Sequence, residues 1–410
     1  MAGLSPDVVI VGGGIAGGTM ATILARNGLE VVVLERETIY PDRVRGEWIA
    51  PWGVVEFKRL GLIDLLYENG AIDVQRNVPY DENWSPEVAE QRALDFRNLL
   101  PEIPGAICIG HPTMCNVFSA SAKESGAHVL TGIKKIEVTA GSGPTVAFSS
   151  NGQTVQLRPR VVIGADGRNS AVRKQLGFPV LADEPHNLLG GMLVANVPDW
   201  PRQVQAIGTE DRFHYFVFPQ GKDMVRLYAC YDFADRAKFA GPDREARLLQ
   251  AFRLNCLPYS EAILGGLPVS TFNSYSNEDH WVDDPTTTGI VLIGDAAGHN
   301  DPITGQGLSI AARDVRIVSD ILISTKNLDR VDFLPYVEER RERMRRLRIT
   351  GRLATKLRVE FGDEARHRRA RVSQRSMQRQ LSPLPATLIG PERLPAEAYL
   401  PETIEKLIAP

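Results

Sequence analysis

The fold is decided close to the start of the chain, where residues 8–17 read VVIVGGGIAG. The first four of these residues form a continuous β-branched run, which is typical of a parallel strand buried on both faces. The six residues that follow fit the pattern G-x-G-x-x-G. Apolar residues at three-and-four spacing then predict a helix that stops at the Asn27-Gly28 pair. A strand, a glycine turn and a helix in this order predict the start of a βαβ unit.

The glycine turn predicts a dinucleotide-binding site, because each glycine has a separate role in such a turn. Gly12 permits the tight turn, Gly14 lets a pyrophosphate approach the backbone, and Gly17 lets the helix pack against the strand. Ile15 and Ala16 open the helix, whose free N–H groups can bind the phosphates.

A second buried run, residues 31–34, leads into Glu35. An acid about 20 residues after the first glycine accepts hydrogen bonds from a ribose diol, which indicates FAD or NAD. Arg36 is a further candidate cofactor contact, since an arginine beside the acid can accommodate a phosphorylated ribose.

Two more strand-and-turn segments occur downstream. Residues 161–170 read VVIGADGRNS and place Asp166 and Gly167 after a strand, and residues 289–299 read GIVLIGDAAGH and do the same for Gly294 and Asp295. Either segment alone is compatible with an ordinary capped turn. The second one continues through a further turn into a helix with an apolar face.

With these motifs in this order, the chain resembles the single-component (class A) FAD-dependent aromatic monooxygenases built like p-hydroxybenzoate hydroxylase, over residues 7–350. The resemblance implies an α/β fold. It has a Rossmann-like FAD-binding domain of parallel strands and helices, an antiparallel-sheet substrate domain and an α-helical C-terminal region.

The resemblance also implies the residues that hold FAD. The glycine turn and Glu35 would bind the ADP half of FAD, and Asp166 and Gly167 would lie beside its pyrophosphate. Asp295, next to Gly294, would bind the ribityl chain. The later turn would lie at the isoalloxazine edge. That turn consists of Pro302, Gly305, Gln306 and Gly307. The helix after it would aim its positive end at the reduced flavin.

Two positions are less regular. The segment around Gly46-Glu47 is similar to squalene-epoxidase-like and halogenase-like members, in which Arg45 would approach the flavin or its pyrophosphate; the alternative is a surface arginine. His111 stands at a helix start where the family usually carries an arginine. It is either a substitute for that contact or a plain helix-start residue.

The activity implied by the resemblance is a monooxygenase reaction. NAD(P)H reduces FAD, dioxygen forms a flavin C4a-hydroperoxide, and one oxygen atom passes to an aromatic or polycyclic small molecule, with hydroxylation favoured. No second G-x-G-x-x-G occurs, so NAD(P)H is expected to bind only transiently. Alkene epoxidation, a geranylgeranyl-type flavin reductase and a non-catalytic FAD-binding protein remain alternatives. A halogenase is disfavoured because no lysine occurs between Lys58 and Lys123.

Strand-like runs at residues 188–197, 212–218 and 224–231 predict an antiparallel sheet over the flavin. Candidate substrate and catalytic residues are His214, Tyr215, Arg226, Tyr228 and Pro302. The four sheet residues could equally be ordinary packing. The predicted FAD-binding domain comprises residues 1–72, 105–181 and 285–350, the substrate domain residues 73–104 and 182–284, and the C-terminal region residues 351–410.

Composition excludes several function classes. A net charge of -3 and a pI near 6.2 give no general attraction to nucleic acid or acidic membranes. The four scattered cysteines and the absence of a ligand motif predict no metal site. No apolar run reaches the length of a membrane span, and no secretory signal is recognisable, so a cytoplasmic protein is expected. The arginine-rich stretch after residue 337 is predicted to be a solvated amphipathic helix, and the proline-rich last thirty residues an extended, packed tail.

Overall fold

The computed structural model describes residues 6–42, 44, 46–150 and 152–410. Its strands are β1 (Val8–Val11), β2 (Val31–Leu34), β3 (Trp48–Ile49), β4 (Ile72–Val74), β5 (Arg76–Val78), β6 (Leu94–Asp95), β7 (Ala106–Cys108), β8 (His128–Leu130), β9 (Ile136–Thr139), β10 (Thr145–Ser150), β11 (Gln153–Leu157), β12 (Val161–Gly164), β13 (Leu181–Ala182), β14 (Asn187–Ala195), β15 (Val204–Glu210), β16 (Phe213–Gly221), β17 (Met224–Tyr231), β18 (Leu267–Pro268), β19 (Asn273–Asn277), β20 (His280–Trp281), β21 (Thr286–Thr287) and β22 (Ile290–Leu292).

The α-helices are α1 (Ile15–Arg26), α2 (Pro51–Arg59), α3 (Ile63–Glu68), α4 (Pro86–Gln91), α5 (His111–Glu124), α6 (Ala171–Gln175), α7 (Arg244–Ala251), α8 (Ser260–Leu264), α9 (Gly307–Ser324), α10 (Leu334–Arg358), α11 (Asp363–Met377), α12 (Ala386–Ile389) and α13 (Pro401–Ile408).

A six-stranded sheet forms the nucleotide-binding half, in the order β21-β22-β12-β1-β2-β8. All neighbours pair parallel except β21 with β22. Strands β1, β2, β12 and β22 are fully buried, as their continuous apolar runs predict. Helices α1, α5 and α9 pack together over one face, and the small sheet β9–β11 covers the other.

An eight-stranded sheet forms the second half. Its order is β18-β14-β17-β16-β15-β5-β6, with β19 pairing to β14. The predicted hairpin between β16 and β17 is confirmed: Lys222 and Asp223 have φ of 49° and 56°, which suits a tight two-residue turn. One face of this sheet packs against α7 and α8, and the other faces the parallel sheet.

Structure corrects two expectations about the C-terminal part. Helix α10 is not simply solvated, because Arg340 and Arg343 are buried in it. The last thirty residues are not extended; they contain α12 and α13. The predicted domain boundary at residue 350 falls inside α10, and the division into domains otherwise stays a prediction.

Candidate functional site

The three predicted turns meet at one edge of the parallel sheet. Because β1, β12 and β22 run in the same direction and in register, their carboxyl ends lie side by side: Val11 pairs with Gly164, and Gly164 pairs with Leu292. The carboxyl edge of such a sheet is where open α/β folds bind ligands. The turn residues therefore converge although they lie far apart in the sequence.

The first turn has the geometry that its glycines predict. Gly12 has φ of 99°, and a Cβ there would lie 2.5 Å from the Ala165 carbonyl oxygen. A Cβ on Gly17 would overlap the Gly12 carbonyl oxygen. A Cβ on Gly14 would meet no atom within 4 Å, and Gly14 caps α1 without a side-chain hydrogen bond. Gly14 thus leaves an open approach to the helix N-terminus, while the other two glycines serve close packing.

Glu35 fastens this turn to the end of β2. Its Oε2 accepts from the Gly13 N–H at 2.5 Å, and its Oε1 accepts from the Glu37 N–H at 2.6 Å. Each carboxylate oxygen retains a further lone pair, so a ribose contact by Glu35 stays a prediction. Arg36 points to solvent instead and pairs with Glu37 at 2.9 Å.

At the second turn, Asp166 caps the next helix. Its Oδ2 accepts from the Ala171 N–H at 2.6 Å, and its Oδ1 is buried with no hydrogen-bond partner in the described part of the chain. Gly167 has φ of 76° and open space where a Cβ would stand. Asp295 belongs to the third turn, and its Oδ2 lies 3.7 Å from the Nε of the neighbouring Arg168.

The third turn is held by a buried ionic cluster that the sequence did not reveal. The Gly294 N–H donates to Asp314 Oδ2 at 2.8 Å. Arg340 and Arg343 donate to the same carboxylate at 3.1 and 2.6 Å. Although burial opposes its ionisation, the two guanidiniums hold the pKa of Asp314 below its usual value.

A cavity of about 370 Å³ separates the turns from the antiparallel sheet. The predicted site residues that line it are Gly14, Ile15, Ala16, His111, Gly167, Tyr228, Asp295, Pro302, Gly305, Gln306 and Gly307. On the sheet side its wall is mainly apolar and includes four aromatic rings, those of Phe216, Phe218, Tyr228 and Tyr275. His111, in the first turn of α5, places its ring against Cys115.

Three of the predicted sheet candidates do not line the cavity. Tyr215 is on the opposite sheet face, as alternation requires, and donates to the Tyr80 carbonyl at 2.7 Å. His214 is buried beside Thr209, 2.8 Å from its hydroxyl, and burial lowers its pKa well below the usual value. Arg226 lies beyond the cavity wall in an adjoining groove. Arg45 lies outside the described residues.

Glu47 separates the cavity from this groove and lines both. It is an ion-pair partner of Arg226 and accepts from the Tyr228 hydroxyl at 3.1 Å. Arg226 also pairs with Asp42 at 2.9 Å. Burial raises the pKa of Glu47 to about 7, against the opposing effect of Arg226. The Gly46-Glu47 pair in the sequence points to Glu47, but it does not indicate that Arg226 and Tyr228 are its partners.

The turn before α9 is tied to the C-terminal tail. Gln306 accepts from the Trp52 indole N–H at 2.8 Å and donates to the carbonyl oxygens of Thr304 and Thr387. Gly305 has φ of 67° and packs on the Trp48 ring. The Gln306 side chain is therefore structural, whereas Gly307 leaves the N-terminus of α9 open to the cavity.

Several cavity residues were missed by sequence reasoning. Thr387 and Leu388 come from the tail, and Arg358 comes from the end of α10. The arginines on the buried face of α10 did leave a signal. Arg340 precedes Met344 by one helical turn, and Arg343 precedes Leu347 in the same way, so both arginines continue the apolar stripe.

One group of potential metal ligands does not have the geometry of a metal site. Glu278, His280 and His299 bring potential ligand atoms within 4.8 Å of one another. However, the two histidine rings are stacked, 4.6 Å apart and inclined by 18°. An ion cannot lie in both ring planes, so the two nitrogens do not converge on one metal.

The residues present fit FAD. Two helix N-termini without side-chain caps, those of α1 and α9, face the cavity. Gly14, Gly167 and Gly307 leave open space there, and the buried Trp48 indole N–H has no hydrogen-bond partner among the described residues. Uncapped helix N-termini favour anionic groups such as a pyrophosphate.

Comparison with known proteins gives the same result. The FAD binding domain family matches residues 5–348. The chain belongs to this FAD binding domain family. Squalene monooxygenase of Rattus norvegicus is 25% identical over 358 residues, which cover 77% of this chain and 54% of that protein. The chain thus spans about half the length of this curated relative.

Solved structures have the same fold. The p-nitrophenol 4-monooxygenase PnpA of Pseudomonas putida has a TM-score of 0.77 at 20% identity, covering 95% of this chain and 99% of that chain. P. aeruginosa PqsL in complex with 2-aminobenzoylacetate has a TM-score of 0.71 at 23% identity, covering 87% and 97%. These matches confirm the predicted α/β fold, whose second sheet is antiparallel except where β15 pairs parallel with β5. Among the described residues no helix is long and apolar enough to cross a membrane.

Proposed function

We propose that this protein is an FAD-dependent monooxygenase that uses NAD(P)H and O2 to hydroxylate an aromatic or polycyclic small molecule. The observation that carries the proposal is the continuity of one cavity. Its floor is formed by the glycine turns and open helix ends, and its roof by Phe216, Phe218 and Tyr228. A flat ring bound against the roof would face the cofactor.

When bound, FAD supplies the redox chemistry: reduced by NAD(P)H, it activates dioxygen for transfer of one oxygen atom. The chain's own residues have three tasks. The N-termini of α1 and α9 stabilise negative charge on the cofactor. Pro302 and Gly305 shape the edge where substrate and cofactor meet. The aromatic roof would exclude water from the space where cofactor and substrate react, which disfavours unproductive release of hydrogen peroxide.

We assign proton transfer in the cavity to Tyr228 and Glu47. Tyr228 lines the cavity, and its hydroxyl donates to Glu47 at 3.1 Å. A carboxyl group whose pKa is about 7 can give or take a proton near neutral pH. We assign Arg226 the positioning of Glu47. His214 and Tyr215 are assigned packing roles, because neither lines the cavity.

A second candidate is epoxidation of an alkene. It is favoured by the sequence similarity to squalene monooxygenase and by the largely apolar roof. An epoxidase needs no base for its substrate, so Glu47→Gln would leave its rate nearly unchanged. A phenol hydroxylase would lose rate on the same substitution, because ionisation of the phenol assists the oxygen transfer.

The test begins with the purified, FAD-loaded protein. NADH and NADPH oxidation are followed with and without a panel of phenols, polycyclic aromatics and alkenes, and isotopically labelled dioxygen is traced into product by mass spectrometry. We expect an aromatic compound to stimulate oxidation and to gain one labelled oxygen atom. A colourless protein that takes up no FAD, or oxidation that yields only hydrogen peroxide with every compound, would contradict the proposal. A cytoplasmic location stays a prediction from the sequence.

A further inference from the structure

Arg358 is a cation in the wall of the cavity. It is the last residue of α10, ten residues beyond the segment that matches the family. Its Nη1 donates to the Ile303 carbonyl at 2.6 Å, and its guanidinium lies 5.8 Å from the centre of the Phe216 ring. It is therefore held between the loop at the predicted flavin edge and the aromatic roof.

The charge of Arg358 is not neutralised by the protein. Within the described ranges, no carboxylate lies within ion-pair distance of its guanidinium. The fully buried arginines of the same region differ from Arg358: Arg340 and Arg343 pair with Asp314, and Arg368 pairs with Glu360. Burial lowers the pKa of Arg358, as expected for a cation that has lost water without gaining a partner.

The titratable groups around Arg358 do not supply that partner. Asp301 is the nearest acid to influence it, but the Asp301 carboxylate is already engaged by the Ile303 N–H, the Thr355 hydroxyl and His186, the last at 2.9 Å. Cys230 is a buried thiol whose pKa is raised by burial, so it is neutral. His214 is neutral for the corresponding reason, and the nearby Arg369 is itself paired with Asp81 and Glu82.

Arg358 is half-buried in the cavity wall. A guanidinium that loses water without gaining an anionic partner is unfavourable, so such a group is favoured where a ligand supplies the missing anion. A guanidinium offers a planar fork of N–H donors that matches a carboxylate, and Ile303 occupies only one of these donors. We propose that Arg358 binds a carboxylate group of the substrate, which makes the substrate an aromatic carboxylic acid. This inference rests on the proposed function, since it assigns a substrate class to the same cavity.

The experiment measures ligand binding without turnover. Isothermal titration calorimetry on the FAD-loaded protein compares naphthoate with naphthamide and salicylate with salicylamide, pairs that differ in charge but little in shape. We expect at least one carboxylate to bind about tenfold or more tightly than its amide, the usual size of a charge-assisted contact. Arg358→Gln should reduce this preference to within about twofold, and Arg358→Lys should restore part of it.

The matched control is Arg345→Gln, which changes an exposed arginine of the same helix that pairs with Glu342. It should leave both affinities unchanged, and retained FAD absorbance shows that each variant is folded. The inference is overturned if no carboxylate in the panel outbinds its amide, or if the preference survives Arg358→Gln. Failure of the proposed function looks different, because carboxylate binding through Arg358 would then persist in a protein that oxygenates no compound.

Discussion

We expect Asp314→Asn to lower the free energy of unfolding strongly, although Asp314 lies outside the cavity. Asp314 is fully buried in α9 and joins three partners: the Gly294 N–H of the third turn, Arg340 and Arg343. An asparagine keeps the shape but replaces one acceptor oxygen with an NH2 group and removes the charge. At least one guanidinium then loses its acceptor in the interior.

The magnitude follows from the burial of this cluster. Removing one member of a buried ion pair costs about 3–5 kcal/mol, because the remaining charge is left uncompensated. Arg343 retains a second partner, Glu339 at 3.0 Å, whereas Arg340 has only carbonyl oxygens besides Asp314 among the described residues. We therefore expect a loss of about 3 kcal/mol in the free energy of unfolding, out of a total of about 5–15 kcal/mol for a typical protein.

Urea unfolding followed by circular dichroism measures this loss, and a titration of the apoprotein with FAD measures the effect on the turn. Because Gly294 belongs to that turn, FAD affinity should fall together with stability. The control is Asp320→Asn on the same helix, an exposed residue that pairs with Arg316 at 3.3 Å. It should cost less than about 0.5 kcal/mol. Equal losses in the two variants would refute the reasoning.

Two further substitutions test the cofactor turn and the cavity wall. Gly17→Ala places a methyl group on the Gly12 carbonyl oxygen, so we expect FAD affinity, measured by fluorescence titration, to fall at least tenfold. The control is Gly143→Ala, whose added methyl group meets no atom within 4 Å and should leave the affinity unchanged. Unchanged FAD affinity in both variants would exclude the packing role assigned to Gly17. Glu47 has a folded-state pKa of about 7, above its usual value of 4.5, so the wild type should lose stability as pH rises from about 4.5 through 7, by up to about 3 kcal/mol. Urea unfolding from pH 5 to 8 should show no such fall of stability with pH in Glu47→Gln. The control Glu68→Gln, at an exposed site, should show the same fall as the wild type. If stability still falls with pH in Glu47→Gln, the effect belongs to another titratable group.

The turns could be predicted from the sequence because their constraints are local. Gly12 has a φ of 99°, and Gly17 packs on the Gly12 carbonyl oxygen, so both requirements arise within the turn itself. A parallel strand buried on both faces is recognised by its continuous apolar run. In-register pairing then forces distant turns to the same edge. For this reason the convergence of the three turns and the antiparallel hairpin were predictable without any knowledge of packing.

The substrate side could not be predicted in the same way. Alternation along β16 and β17 divides residues into two faces, but it does not say which face lines the cavity, and Tyr215 lies on the face that does not. The burial of Arg340 and Arg343 depends on Asp314, an acid on another helix. Arg358 is recognised only when the far end of α10 is seen to reach the cavity.

Helix α10 has a consequence for how this protein could diversify. From Arg340 to Arg358 it extends for about 27 Å, at about 1.5 Å per residue. Arg340, towards one end, pairs with Asp314 beside the third turn, and Arg358, at the other end, lies in the wall of the cavity. Changes confined to its last turns and to the tail could therefore retune ligand choice while the nucleotide motifs stay intact.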